Sequence, residues 1–174
     1  MLRADFPYQL VAFLGQEPSL GEPVYSGKNG WYPQIALKRR FNVTGIEEDE
    51  LISKINLYCQ NFNNFTVKIG GISKPGNMPV RVLEVDKTPE LINFHQGFIK
   101  YLDTSLVSRY PERDGINYMP HITAEWEGQV VIDTDRFSNT EVRIKNIFLL
   151  KDLTSDNSVA FKKFALNNSL KCAQ

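Results

Sequence analysis

The chain has 174 residues, and its 20 basic and 20 acidic side chains cancel; a surface built to coat nucleic acid or membrane through net charge is excluded, while a local basic patch is not. Hydrophobic residues make up 42%, enough for a substantial core and too many for a disordered chain. The longest apolar runs, Leu10–Leu14 and Ile147–Leu150, are too short to span a bilayer, the N-terminus lacks a secretory signal, and the distant Cys59 and Cys172 form no C-x-x-C pattern, which fits a reducing cytoplasm better than a disulfide or zinc framework.

In chain order, YQLVAFLG (residues 8–15) reads as a buried strand closed by Gly15, and residues 15–30, rich in Gly, Pro, Glu and Ser, as a surface loop. WYPQIALKRRF follows as a second strand with Pro33 at its start, where a missing N–H does least harm. TGIEEDELISKINLYCQNF is a helix whose stripe is Leu51, Ile52, Ile55, Tyr58 and Phe62, with Thr44 and Glu47 at capping-box spacing. FTVKIGGIS, the turn KPGN and PVRVLEVD read as a hairpin. TPELINFHQGFIKYLDTSL is a second helix, capped by Thr88 with Pro89 at its first position. After a loop come three strands: MPHITAEW, EVRIKNIFLLKDL and VAFKKFAL. Strands joined as hairpins and mixed with two helices predict one α+β domain over residues 1–174, with mainly antiparallel sheets.

Two segments share the frame Pro-[His/Gln]-Ile-[Thr/Ala]: YPQIALK at 32–38 and YMPHITAEW at 118–126. Alternation along a strand sets His121, Thr123 and Glu125 on one face and Pro120, Ile122 and Ala124 on the other. In the earlier frame it groups Gln34, Ala36 and Lys38 against Ile35 and Leu37. A repeated frame, one copy in each half, predicts two pseudo-equivalent lobes whose polar faces meet across one cleft, with Lys38 opposite Glu125 as a bridge.

The PHIT of NYMPHITAEW resembles the second signature of the two-histidine (2H) phosphoesterase superfamily, which includes 2′-5′ RNA ligase-like proteins and cyclic phosphodiesterases. WYPQIALKRRF stands where the first signature belongs, and the α-β-β-α order between them fits, so the resemblance covers nearly the whole chain. It implies a bilobal pseudo-twofold fold, with two antiparallel sheets lining a central cleft and helices packed outside. It also implies two H-x-[ST] motifs, one histidine acting as general base and the other as general acid, the hydroxyls holding phosphate oxygens, and no metal or other cofactor. Imidazole suits this work because it titrates near neutral pH.

Here the first motif departs from the pattern: Gln34 and Ala36 take the places of histidine and threonine. A carboxamide can orient a phosphate but carries no proton at neutral pH. His121 and Thr123 are therefore the catalytic candidates, and Gln34, Lys38, Tyr32, Tyr118 and Trp126 the substrate-binding ones. Trp31, Tyr32, Tyr118 and Trp126 offer ring faces to a base, and Lys38, Arg39 and Arg40 offer charge to phosphates. The implied partner is a phosphate of RNA or of a nucleotide. The implied chemistry, where it survives, is hydrolysis or transfer at a 2′,3′-cyclic phosphate or a 2′-5′ linkage. The alternative is an inactive RNA- or nucleotide-binding module that uses the same cleft.

Overall fold

The computed structural model describes residues 5–25, 31–76, 79–154 and 157–168; Cys172, Asn77 of the K-P-G-N turn and residues 26–30 of the first loop lie outside them. The elements run β1 (Tyr8–Phe13), β2 (Gln34–Val43), α1 (Glu48–Gln60), β3 (Phe65–Ser73), β4 (Val80–Val85), α2 (Pro89–Leu102), β5 (Leu106–Ser108), β6 (His121–Trp126), β7 (Gln129–Val130), β8 (Thr140–Ile144), β9 (Asn146–Thr154) and β10 (Asn157–Ala165). They form two five-stranded sheets, ordered β10-β9-β1-β2-β5 and β7-β6-β4-β3-β8. All the strand pairings in both sheets are antiparallel. Each motif strand holds the same station: β2 lies between the middle strand β1 and the short edge strand β5, and β6 between the middle strand β4 and the short edge strand β7. The fold is α+β, as the order of elements predicts.

The middle strand of the first sheet is apolar on both faces. Leu10, Ala12 and Leu14 enter the main core with both helices, while Val11 and Phe13 join a second cluster with Val24, Tyr32, Phe148, Leu150 and Ala160. That is why residues 10–14 read as an unbroken apolar run rather than an alternating one. On the helix side, Tyr58 of α1 donates its hydroxyl to the Phe94 carbonyl of α2 at 2.8 Å. The approach is close enough that a Cβ on Gly97 would stand 2.5 Å from the Tyr58 oxygen, so glycine is needed there.

Three boundaries differ from the pattern in the sequence. Thr44 does not cap α1. Gly45, at φ +74°, turns the chain away, the Thr44 N–H is drawn to the Ser105 carbonyl at 2.9 Å, and Glu47 stands at the N-cap with no side-chain hydrogen bond. Helix α2, capped by Thr88 as expected, ends at Leu102, and Leu106–Ser108 add instead to the edge of β2. EVRIKNIFLLKDL is two strands in different sheets, with the break at Lys145. Its first part alternates as a strand open on one face does, and its second part, Ile147–Leu150, is continuously apolar because it is covered on both.

Candidate functional site

On β6, Ile122 and Ala124 are buried in the main core, while His121 and Thr123 are only partly covered. His121 lies opposite Glu84 and Thr123 opposite Val82 on β4, but the next pair is Glu125 with Arg81. The register therefore slips by one, with Ala124 as the extra residue. Past such a slip the alternation inverts. Glu125 turns away from the His121–Thr123 face and pairs with Arg81 at 3.5 Å, and Trp126 returns to that face, where its indole lies 6.3 Å from that of Trp31.

Strand β2 repeats the device at the same offset. Gln34 and Ala36 lie opposite Phe13 and Val11, and Lys38 opposite Leu10, so Leu37 is the extra residue. Lys38 is thereby turned to the face of Leu10, in the main core, where it is 1% exposed. Its ammonium sits 2.9 Å from both carboxylate oxygens of Asp114, and Ser108 donates to the same carboxylate at 2.6 Å. The expected polar face of Gln34, Ala36 and Lys38, and the expected Lys38–Glu125 bridge, are thus corrected: each partner faces the far side of its own sheet and is paired there. A second slip before Phe41 leaves Arg39 and Arg40 directed elsewhere. Arg40 pairs with Asp152 and reaches Ser158, and Arg39 reaches His121.

The two sheets are joined through these strands. His121 Nδ1 lies 2.9 Å from the Met119 carbonyl, so it carries the proton and donates it. Nε2 is left as the acceptor, and Arg39 Nη2 donates to it at 2.9 Å. Burial, the Arg39 charge and the more distant Arg113 all disfavour the imidazolium, and the His121 pKa falls to about 4. Arg39 makes no ion pair with a carboxylate among the described residues. Burial and the Arg113 charge lower its pKa as well, against the partial compensation of Tyr110, Tyr118 and Tyr25. The Thr123 hydroxyl makes no hydrogen bond to another described residue. On the other wall the Gln34 amide donates to Tyr25 Oη at 2.6 Å and Tyr25 donates to Gln9 at 3.1 Å. That chain fixes the carboxamide and leaves Gln34 Oε1 buried without a hydrogen-bond partner among the described residues.

The remaining candidates are packing groups in this structure. Tyr32 is in the second cluster, edge-on to Phe13, and its hydroxyl is bound to Glu22. Tyr118 is 3% exposed, stacks on His95 with ring centroids 3.9 Å apart, and donates to the Ala36 carbonyl at 2.9 Å. His95 is itself fully buried, donating from Nδ1 to the Leu37 carbonyl at 2.7 Å and accepting from the Gly115 N–H at 3.1 Å. Together with Lys38–Asp114 these bonds fasten residues 114–118, which lead into β6, to the slipped segment of β2. Alternation missed Arg39 because a register slip leaves no mark in a single strand's sequence. Tyr25 was missed because it comes from the loop. Among the described residues no three His, Cys, Asp or Glu side chains gather to hold a metal ion, and Cys59 is a buried thiol pushed up to about 12.

No protein-family model matches the chain, and no curated protein matches its sequence. Solved structures do match. A phosphoesterase aligns at a TM-score of 0.60 and 12% identity, over 94% of this chain and 99% of its own. Escherichia coli LigT complexed with 3′-AMP aligns at 0.57 and 14%, with the same coverage. Usb1 of Kluyveromyces marxianus aligns at 0.51 and 15%, again over 94% and 99%. At such identities the likeness concerns the backbone, and it extends over nearly the whole of both chains: this chain has the α+β fold of LigT and Usb1, with its two P-x-I-x strands at equivalent stations of the two sheets.

Proposed function

We propose that the seam between β2 and β6 binds a phosphate group of RNA or of a nucleotide, and that this protein is a divergent 2H phosphoesterase-like protein with weak phosphodiester hydrolysis or transfer. The observation that carries the reading is Arg39: a guanidinium without a carboxylate partner among the described residues, held against His121. A phosphate oxyanion is the natural partner of such a group, because the planar fork of donors matches two phosphate oxygens. Thr123 adds a hydroxyl that no other described residue engages. Gln34 Oε1, an acceptor without a donor among the described residues, suits a ligand hydroxyl. Trp126 and Trp31 offer ring faces beside it. The LigT structures complexed with 3′-AMP and with phosphate support the reading by analogy of fold.

The alternative, recognition without turnover, draws support from the same geometry. An imidazole that stays neutral down to about pH 4, with a carboxamide at the matching position of the other motif strand, is a poor half of an acid–base pair. Titration with inorganic phosphate, 3′-AMP and a 2′,3′-cyclic nucleotide, following the His121 ring signals and ring opening together, tests both. Binding with slow ring opening is expected; binding with none leaves the recognition module; undisturbed His121 signals with all three ligands discard both readings.

A further inference from the structure

We infer that the Arg39–His121 contact is an anion-operated lock, in which the guanidinium caps the outward nitrogen of the imidazole until a phosphate draws it away. This rests on the phosphate-binding reading above and adds to it how the site switches. The imidazole is oriented by Met119: its inner nitrogen donates to that carbonyl at 2.9 Å, and the outer one is filled by Arg39 Nη2 at 2.9 Å. Proton transfer to a ligand would have to pass through that outer nitrogen.

Arg39 is poorly matched to this partner. A guanidinium has five N–H donors, and a neutral imidazole offers it one acceptor. Like charge from Arg113 adds to the cost. The groups that bear on His121 are Arg39 from β2, Arg113 from the segment before β6, Glu84 directly across on β4, and the Met119 carbonyl. Glu84 is exposed and makes no bond to the ring. An incoming phosphate supplies two acceptors and negative charge. The guanidinium exchanges one neutral acceptor for a charge-assisted fork, the outer nitrogen is vacated, and the adjacent anion favours its protonation. One proton is taken from solvent to form the second N–H of His121, and no other covalent bond changes.

The expected consequences are read from the His121 ring nitrogens across pH, in the wild type and in Arg39→Met and Arg39→Lys, without ligand and then with inorganic phosphate or 3′-AMP. Without ligand, Arg39→Met is expected to move the His121 titration up toward its ordinary value. In the wild type, saturating phosphate is expected to do the same, with proton uptake on binding and affinity that rises as pH falls. Phosphate affinity drops about 10- to 100-fold in Arg39→Met and less in Arg39→Lys. A ligand-free Arg39→Met protein in which His121 titrates as in the wild type overturns the lock, and so does phosphate that binds without altering the outer nitrogen's signal. Failure of phosphate and 3′-AMP to bind the wild type would instead overturn the binding reading itself, and the lock with it. Unchanged methyl spectra confirm that each variant is folded.

Discussion

The β2 and β6 walls have the same backbone and different chemistry. Each begins after a proline and follows its motif with one extra residue, Leu37 or Ala124, three positions past Gln34 or His121. Each then turns the next charged residue, Lys38 or Glu125, to the far side, where a partner neutralises it. What differs is the cargo: imidazole and hydroxyl on one wall, carboxamide and methyl on the other. Arg39 and Trp126 occupy the corresponding place after the slip, one a charge and the other a ring. Backbone symmetry and chemical asymmetry are thus separable here, because register is fixed by packing against β1 and β4 while the outward side chains are under no such constraint.

The comparison is tested most severely by rebuilding the missing half. Gln34→His combined with Ala36→Thr is expected to raise ring opening of a 2′,3′-cyclic nucleotide by about 10²- to 10⁴-fold, the usual worth of a positioned proton carrier; no gain in a folded, ligand-binding double variant would show that the walls are not catalytically equivalent. Next is the hidden pair. Lys38→Met strands Asp114 in a site only partly open to solvent, and unfolding by urea should show a loss of about 3 kcal/mol. If Lys38 lay on the ligand face, phosphate affinity rather than stability would carry the change.

Acid should expose the strain on the histidine wall. His121 in the unfolded chain takes a proton near pH 6.5, whereas in the fold it does so only at about 4. Between these values the unfolded state binds more protons, so stability contributed by the neutral ring is full above about pH 6.5 and is lost as pH falls toward 4. The loss is about 3 kcal/mol for His121, and His95, lowered chiefly by its burial, adds in the same direction. Urea midpoints at pH 7, 5.5 and 4 without phosphate measure it, and His121→Gln should flatten the slope. A smaller effect attends the ring: Trp126→Ala is expected to weaken 3′-AMP by about 1–3 kcal/mol while inorganic phosphate binds as before. Equal losses for both ligands would assign Trp126 to shaping the site rather than to the base.

Much of this was legible from residue order. The strand-rich halves, the Thr88 cap, the hairpin and the repeated frame follow from periodicity and turn residues, which are local. The identity of the two walls followed from the frame itself. The division of EVRIKNIFLLKDL was not read, although the change from alternating to continuous apolar residues was its trace. The three-residue strand Leu106–Ser108 carries too few residues for any period to show, and it is a strand only because β2 offers it an edge.

Composition and spacing by themselves determined the class of fold, the two motif strands, and the presence of an imidazole on one of them and a carboxamide on the other, because side-chain chemistry and apolar periodicity are written in the chain. Which charged residue lies against His121 was decided only in three dimensions. A one-residue slip, imposed by pairing with a neighbouring strand, sends Lys38 into the core and brings Arg39 to His121, and pairing is a property of two strands, not of either one alone.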